Sequence, residues 1–270
     1  MYFYLIIILI KEFKKMKIFI LCGGFGSRLD HEGTLIAKPM VRIGPKPILT
    51  HIIHNYIDQG YNDFVFCLGY KSNTIINYFL KENKKRINIL KKEGKNIKFS
   101  YKLNKNKFTG NLIYTGLNTG TGGRIKKAYK TLKLNEDIMM TYGDGLSNVS
   151  LKKLIKFHYK NNAKVTLTAV RPKERYGILK IKNSQITYFD NENRYINTYV
   201  NGGYFVIDKS AINKIKKNST YWEKEPLSFF AKKKQLFAFK HNGFWKSLDT
   251  LKDKNDFNNL YNKKKYPWKI

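Results

Sequence analysis

Apolar runs alternate with amphipathic segments along the chain from residue 17 onward. Lys17–Cys22 (KIFILC) and Phe64–Leu68 (FVFCL) are continuous apolar runs, which are typical of strands buried on both faces of a sheet. Between them, Pro47 opens a segment whose apolar residues fall on one helical face, and Gly60 ends it. The pattern therefore predicts a strand, a helix and a second strand in succession.

The same alternation continues toward the C-terminus. It predicts strands at Ile138–Tyr142, Val165–Val170 and Tyr204–Ile207, helices at Thr74–Leu80 and Leu151–Tyr159, and a hairpin at Leu179–Phe189 that would make the sheet mixed. Strands that alternate with helices favour an α/β fold, here a Rossmann-like, doubly wound, mostly parallel mixed sheet. No internal repeat or linker interrupts the chain, so we predict a single domain over residues 16–270.

The first 15 residues stand apart from this pattern. Met1–Ile10 is strongly apolar, but a membrane-spanning helix needs about 20 such residues, and nothing resembles a signal cleavage site. Because Met16 directly precedes the first predicted strand, we interpret residues 1–15 as an N-terminal extension from a misassigned start codon. A short N-terminal tail is the alternative, and no membrane association is predicted.

The chain is strongly basic, with 52 Lys and Arg against 19 Asp and Glu and a formal net charge of +33. Such a charge attracts polyanions, but the lysines are scattered among Asn, Ile, Tyr and Phe, as an A/T-rich genome would produce. No basic patch with interleaved aromatic residues resembles a nucleic-acid-binding module, so specific nucleic-acid binding is not predicted. Cys22 and Cys67 lie in apolar runs, which predicts buried free thiols in a reducing cytoplasm.

A glycine-rich segment at residues 23–29 (GGFGSRL) follows the first strand directly. Glycines permit close backbone approach, so successive N–H groups can hold phosphate oxygens, and Arg28 and Lys38 would add positive charge. A dinucleotide-binding fingerprint fits less well, because it needs a small residue in place of Leu29 and an acidic residue roughly 20 positions later. A purely structural turn remains the other alternative.

The pattern GG-x-G-x-RL followed by KPM resembles the signature of the sugar nucleotidyltransferases. Further stretches resemble the glucose-1-phosphate cytidylyltransferase branch: CLGYK at 67–71, TGGR at 121–124, YGDG at 142–145, NGG at 201–203, WEKEPL at 222–227, GFW at 243–245 and DTL at 249–251. They occur in the family's order and extend over residues 16–268.

The resemblance implies Mg²⁺-dependent transfer of CMP from CTP to a sugar 1-phosphate, with glucose 1-phosphate as the expected acceptor. It implies catalytic roles for Arg28, Lys38 and Asp144, and a magnesium site at Asp144 and Asp249. The implied nucleotide- and substrate-binding residues are Leu21, Cys22, Gly23, Gly24, Phe25, Gly26, Ser27, Arg28, Lys38, Thr119, Arg124, Asp144 and Asn201. A cytoplasmic homo-oligomer that serves nucleotide-sugar and O-antigen biosynthesis is implied as well.

The residue pattern alone also allows a local structural role for several of these residues. Asp144 lies between two glycines and could simply be a turn aspartate, and Asp249 could be a helix N-cap. Thr121 could cap the helix that follows it; in the functional interpretation of the same stretch, Arg124 reaches a phosphate with its planar fork of donors. Asn201 precedes two glycines and could mark a turn, whereas the resemblance implies that it lies against the acceptor sugar.

One departure from the family pattern concerns the acceptor. Glu192 stands where the family usually has a lysine near the sugar phosphate, so either Arg194 or Arg175 replaces that lysine or the acceptor is a different phosphorylated compound. Transfer of another nucleotide, such as thymidylyl, and a non-catalytic nucleotide- or nucleic-acid-binding protein remain alternatives. None of the five histidines is predicted to be catalytic, because an anionic acceptor phosphate needs little acid-base help.

Overall fold

A computed structural model describes residues 16–25, 36–103, 106–172, 178–182, 184–190 and 198–269. The predicted N-terminal extension lies outside the described residues. So do six residues named above for the site or the acceptor: Gly26, Ser27, Arg28, Arg175, Glu192 and Arg194.

Fifteen strands and six α-helices make up the described fold. The strands are β1 (Lys17–Cys22), β2 (Arg42–Ile43), β3 (Lys46–Pro47), β4 (Asp63–Leu68), β5 (Ile87–Glu93), β6 (Asn96–Leu103), β7 (Asn106–Tyr114), β8 (Ile138–Tyr142), β9 (Gly145–Ser147), β10 (Val165–Val170), β11 (Ile178–Lys182), β12 (Gln185–Asp190), β13 (Val200–Ile207), β14 (Leu236–His241) and β15 (Trp245–Ser247). The helices are α1 (Ile48–Asp58), α2 (Ser72–Asn77), α3 (Thr121–Thr131), α4 (Leu151–Lys160), α5 (Glu225–Lys232) and α6 (Leu251–Asn262).

A nine-stranded sheet in the order β14-β10-β13-β8-β1-β4-β7-β6-β5 forms the centre of the molecule. Its pairings make β6 and β13 run opposite to the other seven strands, which confirms the predicted mixed, mostly parallel sheet. The predicted hairpin exists as β11 and β12, but these two strands form a separate sheet. The expectation that this hairpin makes the central sheet mixed is therefore wrong.

Helices cover both faces of this sheet, as the continuous apolar strands require. Along β1, Ile18 and Ile20 belong to the core on the side of α1, α4 and α6, whereas Phe19 and Leu21 belong to the core on the side of α3 and α5. Each such side chain, when fully buried, contributes about 1.5–3 kcal/mol to folding. Among the described residues, no helix is long and apolar enough to span a membrane.

Candidate functional site

A cleft of about 450 Å³ opens at the carboxyl ends of β1 and β8, the edge at which open α/β sheets usually bind ligands. Its lining includes most of the predicted site residues that the structure describes: Leu21, Cys22, Gly23, Gly24, Phe25, Lys38, Thr119, Arg124 and Asp144. The cleft is also lined by Leu117, Asn118, Gly120, Thr121, Tyr142 and Tyr221, among others. One cavity thus gathers the glycine-rich segment, the lysine, the aspartate and the TGGR segment.

The ammonium of Lys38 connects the two aspartates predicted to hold a metal. Its Nζ lies 2.6 Å from Asp144 Oδ2 and 2.8 Å from Asp249 Oδ1. Burial by itself would lower the pKa of Lys38, but the two carboxylates outweigh burial and hold this pKa above its ordinary value. Lys38 therefore stays protonated and shares its charge between the two carboxylates.

Short elements from three parts of the chain place these side chains. Lys38 begins a 3₁₀ turn whose next residue, Pro39, is buried. Asp144 follows β8, and its carbonyl accepts a 2.8 Å hydrogen bond from the Leu248 N–H, which joins the two aspartate-bearing segments. The two segments also pair as β9 and β15.

Asp249 is not the N-cap that its position before α6 allows. The cap is Thr250, whose hydroxyl accepts from the Asp253 N–H while the Asp253 carboxylate accepts from the Thr250 N–H. The Asp249 N–H also donates to the Asp253 carboxylate at 3.1 Å. Oδ2 of Asp249 accepts a hydrogen bond from Ser247 Oγ at 2.6 Å. The interpretation of Asp249 as a cap is wrong, and its carboxylate is directed toward Lys38.

The pair formed by Asp144 and Asp249 fits a divalent cation that prefers hard oxygen ligands. The two oxygens nearest Lys38 already share one cation, and both side chains are about a quarter exposed. Among the described residues, no group of three or more His, Cys, Asp or Glu side chains could hold a metal ion. A metal bound here would take two protein oxygens and complete its coordination with water and phosphate oxygens, as Mg²⁺ commonly does.

Arg124 does not present its guanidinium to a phosphate as the sequence suggested. The residue is 3% exposed, and its Nη1 and Nη2 donate to the carbonyls of Leu68, Gly116, Gly23 and Leu117 and to the hydroxyl of Thr115, at 2.7–3.2 Å. The prediction that this guanidinium contacts a phosphate is therefore wrong, because its N–H groups already donate to backbone carbonyls and to the Thr115 hydroxyl. Arg124 instead fixes the wall of the cleft.

Two glycines make room for this arginine. A Cβ on Gly23 or on Gly69 would overlap the Arg124 guanidinium, so any larger residue at either position would displace it. The Tyr70 N–H donates to the Gly23 carbonyl at 3.2 Å, which ties the segment after β1 to the segment after β4. The first glycine of the GG pair is therefore required by packing against Arg124.

A second network, which the sequence analysis missed, joins Thr121 and Tyr142, two residues that line the cleft. Glu223 accepts hydrogen bonds from Thr121 Oγ1 and from the Tyr142 hydroxyl, each at 2.6 Å. Asn201 Nδ2 donates to the same hydroxyl at 3.2 Å, and Asn201 Oδ1 accepts from the Gly203 N–H at 2.9 Å. Asn201 thus reaches the site through Tyr142.

The same network corrects the interpretation of Thr121 as a helix cap. Gly120 precedes α3 as its N-cap residue, and the Thr121 side chain points to Glu223. The only sequence signal for Glu223 was its place in the WEKEPL stretch. Burial, followed by the charge of Glu223, raises the pKa of Tyr142, so this hydroxyl remains a donor.

The predicted site residues Thr119 and Cys22, with the nearby Cys67, have structural rather than chemical roles in this geometry. Thr119 Oγ1 donates to the Thr115 carbonyl at 2.8 Å. Burial raises the pKa of the Cys22 thiol, and that of Cys67 to about 12, so neither is a reactive thiolate. Of the described histidines, none lines the cleft.

Comparisons with known proteins agree on one family. A family model described as "Nucleotidyl transferase" matches residues 17–263. The chain is similar to a glucose-1-phosphate cytidylyltransferase of Salmonella typhimurium, with 39% identity over 94% of this chain and 99% of the relative. It is also similar to a probable glucose-1-phosphate cytidylyltransferase of Bacillus subtilis, with 34% identity over 94% of this chain and 100% of the relative.

Solved structures share the fold at lower sequence identity. HddC from Yersinia pseudotuberculosis, crystallised with GMP-PN, superposes with a TM-score of 0.67 at 23% identity, covering 92% of this chain and 100% of that one. A UDP-glucose pyrophosphorylase complexed with UDP-glucose gives a TM-score of 0.63 at 16% identity, covering 92% and 99%. At these identities the similarity supports the Rossmann-like fold alone.

Proposed function

Because the chain belongs to the nucleotidyl transferase family, we propose that it transfers CMP from CTP to glucose 1-phosphate, giving CDP-glucose and pyrophosphate. The resemblance stated from the sequence motifs is confirmed by relatives that match along nearly the whole chain. Nucleotidyltransferases of this family typically use a divalent metal ion.

The observation that carries the proposal is the position of Lys38 between Asp144 and Asp249 at the cleft. Transfer from a nucleoside triphosphate needs positive charge around the phosphates and a pair of carboxylates that can hold a metal ion beside them. This chain supplies both at the end of β1, next to the backbone of Gly23 and Gly24. Mg²⁺ is the metal that the two hard-oxygen ligands favour, and when bound it would neutralise charge on the phosphates.

The reaction needs positioning more than acid-base chemistry. An oxygen of the acceptor phosphate attacks the α-phosphorus of CTP, a new P–O bond forms, and the bond to the β-phosphate oxygen breaks, so pyrophosphate leaves with that electron pair. Lys38 stabilises the charge that builds up on the phosphates, and the backbone at Gly23 and Gly24 orients them. Arg124 holds the segment of Gly23, and Glu223 holds the segment of Tyr142, so both segments keep their positions in the lining of the cleft.

Pyrophosphate release, measured for CTP, dTTP, UTP and GTP with the 1-phosphates of glucose, galactose and mannose, tests the proposal. We expect the highest kcat/KM for CTP with glucose 1-phosphate. Asp144→Asn should lower turnover by about a thousandfold, since it removes charge without changing shape. Asp63→Asn is the matched control, because Asp63 pairs with Lys17 at the opposite edge of the sheet.

Two results would contradict the proposal. A clear preference for dTTP would favour the thymidylyl alternative, and no pyrophosphate release with any pair would favour a non-catalytic binding protein.

The resemblance also leads us to expect a cytoplasmic homo-oligomer. Light scattering of the purified chain measures the assembly.

A further inference from the structure

The cation that joins Asp144 and Asp249 in this structure belongs to the protein itself. The Nζ of Lys38 lies 2.6 and 2.8 Å from the two carboxylate oxygens that a metal ion would use. A magnesium ion binds such oxygens at about 2.0–2.1 Å, so an ion bridging them would lie in the space that the ammonium fills. Two cations cannot share this position, because they would overlap and repel each other.

The carboxylates are held more firmly than the lysine. Backbone pairing between β9 and β15 and the bond from the Leu248 N–H to the Asp144 carbonyl fix the two segments relative to each other. Ser247 Oγ holds the second oxygen of Asp249 at 2.6 Å. Lys38 reaches the pair through a flexible four-carbon stem, so the ammonium is the group that can move.

We infer that Lys38 occupies the metal position in the free protein and must leave it before a divalent cation can bind. The inference rests on the proposed metal site at Asp144 and Asp249. A triphosphate that enters the cleft offers Lys38 an anionic partner other than the two carboxylates, since Lys38 lines the cleft beside Gly23 and Gly24. Nucleotide and metal therefore bind with positive coupling, and the metal alone binds weakly.

Binding of Mn²⁺ without nucleotide, followed by the electron paramagnetic resonance signal of the free ion, tests the exchange. We expect Lys38→Met to bind Mn²⁺ about tenfold more tightly than the wild type, because the competing cation is gone. The gain should disappear in the double variant Lys38→Met/Asp249→Asn. Lys38→Arg should show no gain, because it keeps the charge.

Lys164→Met is the matched control for loss of one positive charge. Lys164 is a partly exposed lysine that pairs with one carboxylate, Asp208, at 3.2 Å. We expect its Mn²⁺ affinity to equal that of the wild type. Equal affinity of Lys38→Met and the wild type would overturn the inference, as would an equal gain in Lys164→Met.

A measurement on the unaltered chain covers the case in which Lys38→Met fails to fold. Acylation of Lys38, followed by peptide mass spectrometry, should increase when saturating Mn²⁺ expels the ammonium from the carboxylates. Unchanged or reduced labelling would overturn the inference. Both measurements omit nucleotide and sugar, so their failure leaves the transferase proposal standing, and an inactive transferase would leave the exchange standing.

Discussion

The hydroxyl of Tyr142 donates a 2.6 Å hydrogen bond to the carboxylate of Glu223, across 81 positions of the chain. Tyr142 lies two residues before Asp144, and the other oxygen of Glu223 accepts from Thr121 at the start of α3. One side chain therefore links the segment that carries Asp144 to the segment at the start of α3 that also lines the cleft.

Loss of the Glu223 carboxylate should weaken acceptor binding, because Glu223 holds the Tyr142 hydroxyl that Asn201 contacts, and the family resemblance places Asn201 against the acceptor sugar. We expect Glu223→Ala to raise the KM for glucose 1-phosphate by about tenfold, since it removes two hydrogen bonds of about 0.5–1.5 kcal/mol each that orient Tyr142 and Thr121. Steady-state kinetics separate KM from kcat. Glu225→Ala is the control, because Glu225 is exposed and forms its ion pair with an exposed lysine, Lys216. An unchanged KM in Glu223→Ala would remove the network from the acceptor site.

Removal of the Arg124 guanidinium should destabilise the fold. Arg124→Met removes the donor of the Gly116 and Leu117 carbonyls and one donor each from the Gly23 and Leu68 carbonyls, and we expect a loss of about 3 kcal/mol in the free energy of unfolding. Urea denaturation measures this loss. Arg42→Met, at a largely exposed arginine, should change the same quantity by less than about 0.5 kcal/mol. A similar small change in Arg124→Met would show that the carbonyls find other donors.

Acid should destabilise the protein through His158. Burial lowers the pKa of His158 to about 4, with Asp137 and Asp208 opposing the shift and Lys164 adding to it. Its folded pKa lies below its unfolded value of 6.5, so the neutral imidazole stabilises the fold fully above pH 6.5. That contribution is lost as the pH falls from 6.5 toward 4.

The variant His158→Gln isolates this effect. We expect the wild type to lose roughly 3 kcal/mol more stability than the variant between pH 6.5 and 4. Chemical denaturation at several pH values measures the difference. Parallel curves for the two proteins would show that His158 titrates alike in both states.

A substitution at Glu192 distinguishes between two hypotheses about the acceptor. If the acceptor is glucose 1-phosphate, Glu192→Lys should lower its KM by about fivefold or more, since a charge contact to phosphate is worth about 1–3 kcal/mol. Glu93→Lys, at an exposed glutamate on β5, makes the same charge change as a control. A rise in KM for Glu192→Lys would contradict a missing phosphate contact at this position.

Part of the sheet was missed although its signal is present. In β6, Ile97, Phe99, Tyr101 and Leu103 alternate with polar residues and are buried on one face. This is the period-2 pattern of an antiparallel strand with one face buried, whereas the sequence analysis relied on continuous apolar runs. The meander β5-β6-β7 was therefore absent from the prediction. Of the central sheet, β1, β4, β8 and β10 were predicted along nearly their whole length and β13 along its C-terminal half.

Strand burial and motif order are local properties of the chain, so the sequence was enough to predict the layered α/β fold and the family. It also predicted Asp144 at the carboxyl edge of the sheet, because this residue follows a strand, and the family motif added Lys38 to the same site. Which groups these charges meet depends on the tertiary structure. Arg124 faces backbone carbonyls. Lys38 joins Asp144 to Asp249, which is 211 positions away from Lys38 in the sequence. Glu223 accepts a hydrogen bond from Thr121, which is 102 positions away from it. No periodicity encodes such pairs, because they depend on how distant segments cross at the ends of the strands.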